Sequence, residues 1–185
     1  MDMKARQELL ELLARESYIE RKLILASGRA SDYYIDCKRT LYLPQGAYLA
    51  GELMLELVLA QQIQQLGGMA AGALPITDAV ITAAYRHGVD LTGFFVRKEI
   101  KPHGTQQKIE GAFRAERRTG VIDDTITTGG SSLEAVSALH DAGGRVVAAF
   151  ALVDRGEGAR EAFARQGLTY SYLFTADEVR AARTK

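Results

Sequence analysis

The feature that most constrains this chain is the order of its C-terminal half, where short apolar runs alternate with glycine-stopped helical patterns. LTGFFV, GVID, RVVAAFALVD and LTYSYLF each read as a strand. Between the last three lie SSLEAVSALHDAG and GEGAREAFARQG, both helical in spacing and both ended by glycine. RVVAAFALVD is apolar almost without alternation, so it needs cover on both faces. Strands that alternate with helices and are apolar on both sides predict an α/β fold, a central parallel sheet flanked by helices. With 185 residues the chain fits one domain of ordinary size.

Upstream, the pattern is helical with interruptions. Leu9, Leu10, Leu12 and Leu13 mark one face of an N-terminal helix. The β-branched and aromatic residues of LILASGRASDYYIDCKRTLYL predict short strands or a hairpin-like cap. Pro44 then opens a long helix, PQGAYLAGELMLELVLAQQIQQL, at a first-turn position that suits proline. The glycines of LGGMAAGALP break it, and ITDAVITAAYRHG reads as another helix ending at Gly88. The expected division is an N-terminal helix and cap over 1–43 and a core over 44–185, in one domain. From Lys98 to Thr119 the chain is polar and charged, and we expect a mobile loop there, centred on 98–112.

Lysine plus arginine (23) equals aspartate plus glutamate (23), so no overall field draws the protein to nucleic acid or membrane. Charge must act locally. The single cysteine, Cys37, cannot form an internal disulfide and suits a reducing compartment, where it reads as a plain thiol. MDMKARQELLELLARES is amphipathic and acidic rather than a secretion signal. No segment reaches the roughly 20 apolar residues of a membrane span. A cytoplasmic protein is expected.

The stretch VIDDTITTGGSS carries the clearest chemistry. In an open α/β sheet, ligands bind outside the carboxyl ends of the strands. Backbone N–H groups of Thr127, Thr128, Gly129, Gly130 and Ser131 can converge on an anion at the next helix's N-terminus, where the dipole favours negative charge. The two glycines permit close approach and unusual dihedrals. Hydroxyls of Thr125, Thr127, Thr128 and Ser131 are further donors. No lysine follows the glycines, which disfavours a nucleoside triphosphatase loop. Asp123 and Asp124 repel a phosphate, but they can accept hydrogen bonds from vicinal hydroxyls or help hold a divalent cation through water. A ribose phosphorylated on its fifth carbon meets both demands. The plainer alternative is an acidic turn followed by a helix capped by Ser131 or Ser132.

DDTITTGGS resembles the phosphoribosyl-diphosphate signature of the type I phosphoribosyltransferases. LILASGRASDYYID, VRKEIKPHGTQQKIEG and LVDRGEGA narrow the resemblance to the family's orotate branch, over nearly the whole chain from Leu23 to Phe174. That resemblance implies the family's fold, with a small N-terminal hood and a mobile loop. It also implies transfer of phosphoribosyl from its diphosphate to orotate with Mg2+, in pyrimidine biosynthesis. The implied diphosphate-substrate contacts are Arg97, Lys98, Lys101, His103, Asp123, Asp124, Thr125, Ile126, Thr127, Thr128, Gly129, Gly130 and Ser131. Lys101, His103, Asp123 and Asp124 carry the catalytic roles, with His103 either a proton donor or a simple hydrogen-bond donor.

For the base, the resemblance implies Arg155 on the orotate carboxylate, Thr127 as a second contact, and Tyr34 and Ile35 flanking the ring. Arg155 could instead pair with Glu157. Some loop contacts reach a neighbouring subunit's site in this family, which implies a homodimer. In the run from Arg97 to Lys108, four cations stand against Glu99 alone. Ala26 occupies a place where some members have a phosphate-binding lysine, Leu74 one where relatives often have aspartate, and Pro102 stiffens the loop. RRTG gives the strand before Asp123 a polar lead-in, so that strand is expected to be short. Two other readings stay open: transfer to another base, and a nucleotide-sensing regulator without catalysis.

Overall fold

The computed structural model describes residues 2–24, 30–99 and 107–183. Helix α1 (Met3–Glu16) starts where the Asp2 carboxylate accepts hydrogen bonds from the backbone N–H of Lys4 and Ala5, and it buries Leu9, Leu10, Leu12 and Leu13. Strands β1 (Tyr18–Ile24) and β2 (Ala30–Ile35) then form an antiparallel pair, the expected hairpin-like cap. A single helical turn, α2 (Lys38–Leu41), leads into α3 (Pro44–Ala60), which has Pro44 in its first turn.

The core follows as β3 (Gln65–Met69), α4 (Ala73–Arg86), β4 (Thr92–Val96), β5 (Ile109–Gly111) and β6 (Arg118–Ile126). It continues through α5 (Gly130–Asp141), β7 (Arg145–Asp154), α6 (Ala159–Arg165), β8 (Thr169–Thr175) and α7 (Ala176–Arg183). The main sheet has the order β5-β4-β3-β6-β7-β8. All its pairings are parallel except β4 with β5. The central parallel sheet flanked by helices is therefore present, with one antiparallel edge.

Side chains of β7 show how the sheet is covered. Ala148, Phe150 and Leu152 join a cluster with α1, α3 and α4, whereas Ala149 and Ala151 join one with α5 and α6. Alternation by two residues delivers an unbroken apolar run to both layers. Phe150 and Leu152 are fully buried, each burial contributing about 2 kcal/mol.

The fold departs from three expectations and adds two helices. The LGGM segment is not merely a break between helices: it forms β3, a central strand with every residue buried, and α3 stops before it. The strand before Asp123 is long rather than short. Its polar start is satisfied because the Gln65 side chain donates to Thr119 Oγ1 at 2.7 Å and to Arg114 O at 2.7 Å, while Gln65 Oε1 accepts from Arg114 N. Part of the 98–112 stretch is the edge strand β5, paired to β4, and 112–117 is held by Gln65. Last, α7 and α2 were not foreseen. Arg6 of α1 fixes α7 by pairing with Glu178 at 2.6 Å, donating to Leu173 O and lying 4.6 Å over the Phe174 ring.

Among the described residues no helix is long and apolar enough to cross a membrane.

Candidate active site

The chain runs from β3 to β4 on one side of the sheet and later returns through β6 on the other side of β3. The order reverses between β3 and β6, which makes their carboxyl ends the switch point where an open α/β sheet binds ligands. There the turn after β3 meets the end of β6. Gly72 lies so close that a Cβ on it would come within 2.5 Å of Asp123 Oδ1 and 3.3 Å of Asp124 Oδ1. Only glycine lets this turn rest on both carboxylates.

Asp123 and Asp124 thus lie inside β6, not in a turn after it. The Asp124 N–H donates to Asp123 Oδ1 at 2.9 Å. Asp123 lines a cleft of about 290 Å³ together with Thr125 to Ser132 and Glu134. Asp124 is nearly buried, and its Oδ2 stands 3.6 Å from the Lys38 ammonium. Burial first, and Asp124 second, hold the Asp123 carboxyl well above the ordinary range. Burial raises Asp124 as well, with Lys38 pulling it back.

The folded state keeps protons that the unfolded chain would release, so stability is fullest in acid and is lost as pH rises through the raised folded pKa. The ligand-free protein should therefore melt lower in mildly alkaline buffer than in mildly acidic buffer. Asp123→Asn should flatten that dependence and raise the alkaline melting temperature, as thermal denaturation across pH would record. An unchanged pH profile would contradict the assignment.

The floor of the cleft is the start of α5. Its cap residue is Gly129, at φ 84°, and no side chain caps the first turn. Ser131 and Ser132 are therefore not the cap, and the plain capped-helix alternative falls. A Cβ at Gly129 would also press on the Phe163 ring at 3.1 Å. Gly130 does not have the unusual dihedrals expected of it; it opens the helix. Uncapped N–H groups at a helix start, beside exposed Thr128 and Ser131, give the cleft an anion-binding character. Thr125, Ile126 and Thr127 complete the wall, and the Thr125 hydroxyl donates to Cys37 Sγ at 3.3 Å. Cys37 is completely buried and its thiol is pushed up by desolvation, so it is no nucleophile.

Arg155 follows β7 on the same rim, its N–H donating to Ile126 O at 2.9 Å. Its Nε donates to Glu157 Oε1 at 3.0 Å, and the guanidinium lies 4.5 Å over the Tyr33 ring. Tyr33 is thus the aromatic that meets this rim. The two adjacent tyrosines of SDYYID were visible in the sequence, but which one faced the core was not. Tyr34 is partly exposed, and Ile35 is buried in the main core. At the other end, Arg97 pairs with Glu110 of β5 and lies 5.6 Å over the Phe95 ring, while Lys98 is exposed. Leu74 sits half-buried in the first turn of α4. Ala26, Lys101, Pro102 and His103 lie outside the described residues.

Gly72 offers a direct test of the geometry. Because the nearest atom is the tip of a rotatable carboxylate, Gly72→Ala should leave the melting temperature nearly unchanged. Turning Asp123 away should nevertheless cost activity about tenfold to a hundredfold. A variant with full activity would mean the carboxylate's orientation is irrelevant.

No family model matches the chain. Among curated proteins it is 41% identical over 178 residues to an orotate phosphoribosyltransferase of a Bradyrhizobium species, covering 94% of this chain and 96% of the relative. With the orotate phosphoribosyltransferase of Rhodopirellula baltica it shares 42% over 173 residues, 90% of each chain. Among solved structures, orotate phosphoribosyltransferase of Mycobacterium tuberculosis in complex with 5-phospho-alpha-D-ribosyl 1-diphosphate superposes with a TM-score of 0.80. The identity is 36%, covering 95% of this chain and 98% of that one.

Proposed function

The chain belongs to the orotate phosphoribosyltransferase family, and from that premise we propose that Asp123, the cleft at the start of α5 and the Arg155 rim form its working site. The enzyme transfers the 5-phosphoribosyl group from phosphoribosyl diphosphate to orotate, giving orotidine 5′-monophosphate and diphosphate in pyrimidine biosynthesis. The observation that carries the site assignment is the meeting of paired carboxylates with an uncapped helix start at the switch point. The 5-phosphate takes the N–H groups from Thr127 to Ser131, with hydroxyls of Thr125, Thr127, Thr128 and Ser131 as donors. Asp123 and Asp124 accept from the ribose hydroxyls. Ile126 contributes backbone at the junction.

Cleavage of the anomeric bond leaves positive charge on the sugar and strong negative charge on the departing diphosphate. Arg97, Lys98, Lys101 and His103 stabilise that leaving group where its charge develops. Excluding water at this step protects the cationic sugar from hydrolysis. No cluster of three metal-ligating side chains occurs among the described residues. The two aspartates fit Mg2+ that arrives on the substrate's phosphates and is held through water, and its chemistry would be to neutralise the diphosphate. The protein acts as a cytoplasmic homodimer, loop residues completing the neighbouring site.

Orotate is distinguished from uracil by its carboxylate. Arg155, oriented by Glu157 and Tyr33, is the group that recognises it, with Thr127 as a second contact and Tyr34 beside the ring; Ile35, buried in the main core, supports this segment from behind rather than flanking the base. Following orotate consumption by its ultraviolet absorbance tests this. Arg155→Ala should raise the KM for orotate by about tenfold to a hundredfold, the worth of a charged hydrogen-bonded pair. An unchanged KM would point to a different base or a different recognition residue.

A further inference from the structure

Lys38 lies outside the phosphate cleft, yet among the described residues it is the cation facing Asp124. It stands on a rigid mount. The Asp36 N–H donates to Ser17 O at 2.9 Å, the Leu41 N–H donates to Cys37 O at 2.8 Å, and the buried hydroxyls of Ser17 and Thr40 share a hydrogen bond of 2.7 Å. From that mount the Lys38 ammonium pairs with Asp36 Oδ1 at 2.8 Å and reaches Asp124 Oδ2 at 3.6 Å. The next residue of β6, Thr125, bonds to Cys37. Segment 36–38 is therefore joined to the end of β6 at two consecutive positions.

The difference between the two distances matters. At 2.8 Å Asp36 fixes where the ammonium sits. At 3.6 Å the attraction to Asp124 is Coulombic, beyond hydrogen-bond reach, so it orients the carboxylate without occupying its lone pairs. The Asp124 side chain is only 9% exposed, where such attraction is poorly screened. We propose that Lys38 is a positioning residue for the ribose site, its ammonium holding the Asp124 carboxylate turned to receive sugar hydroxyls while Asp36 holds the ammonium. This rests on the assignment of Asp124 to the ribose.

Steady-state kinetics with phosphoribosyl diphosphate varied at saturating orotate provide the test, on Lys38→Met, Lys38→Arg, Asp124→Asn and the Lys38→Met/Asp124→Asn pair. Lys38→Met should raise the KM for phosphoribosyl diphosphate about tenfold with kcat within about threefold, and Lys38→Arg should recover most of the loss. In the Asp124→Asn background the Lys38 change should add less than about twofold, because its target is gone. Should the methionine variant fail to fold, Lys38→Gln repeats the measurement. A KM raised by Asp124→Asn but untouched at Lys38 would overturn the proposal and leave the ribose assignment standing, as would full additivity of the two changes. If Asp124→Asn itself leaves the KM alone, the ribose assignment fails and the role of Lys38 falls with it.

Discussion

Replacing Asp123 and Asp124 together by asparagine is expected to lower kcat/KM for phosphoribosyl diphosphate by about a thousandfold. Hydrogen bonds to a charged partner are worth about 1.5–3 kcal/mol each, and about 1.4 kcal/mol is a factor of ten. Asparagine keeps one neutral, weaker acceptor at each position, so the two exchanges remove the charged share of both bonds, at most about ten-thousandfold. A sugar turning cationic favours the ionised carboxylates, and the substitution removes that negative charge, so kcat should fall along with binding. Folding should survive, since burial already penalises both charged carboxylates. Near-normal turnover in a well-folded double variant, measured by the orotate assay, would remove these residues from the site.

Lys101→Ala should have the second largest effect, and of a different kind. Lys101 lies outside the described residues, so the expectation comes from sequence and chemistry: a cation in a basic run that follows the strand β4. If it meets the leaving group mainly as the bond breaks, kcat should drop about a hundredfold to a thousandfold, the scale of losing one donor aimed at developing charge. The KM for phosphoribosyl diphosphate should move by less than about threefold, because ground-state binding hardly uses the contact. Equal losses in kcat and in affinity would mean that Lys101 serves binding throughout. Single-turnover measurements separate the cases by isolating the chemical step.

Much of the fold is legible in local sequence pattern. RVVAAFALVD announced a doubly covered strand because an unbroken apolar run has no solvent face. VIDDTITTGGSS pointed to the cleft because Asp123 and Thr125 to Ser132, which line it, lie almost side by side in the sequence. Local patterns failed where stability comes from distant partners. LGGM has little strand propensity, yet the sheet makes it a strand by pairing it with β4 and β6. The polar RRTG lead-in became strand because Gln65, far away in sequence, satisfies it.

By itself, then, the sequence determined the layer architecture and the place of a cleft between the end of β6 and the start of α5, since both follow from periodicity and short-range chemistry. Only the tertiary structure decided that Gly72 rests against both aspartates, that Arg155 lies on Tyr33 rather than Tyr34, and that Lys38 faces Asp124. Those are contacts between segments brought together by the sheet order, and no local pattern encodes a distance across the fold.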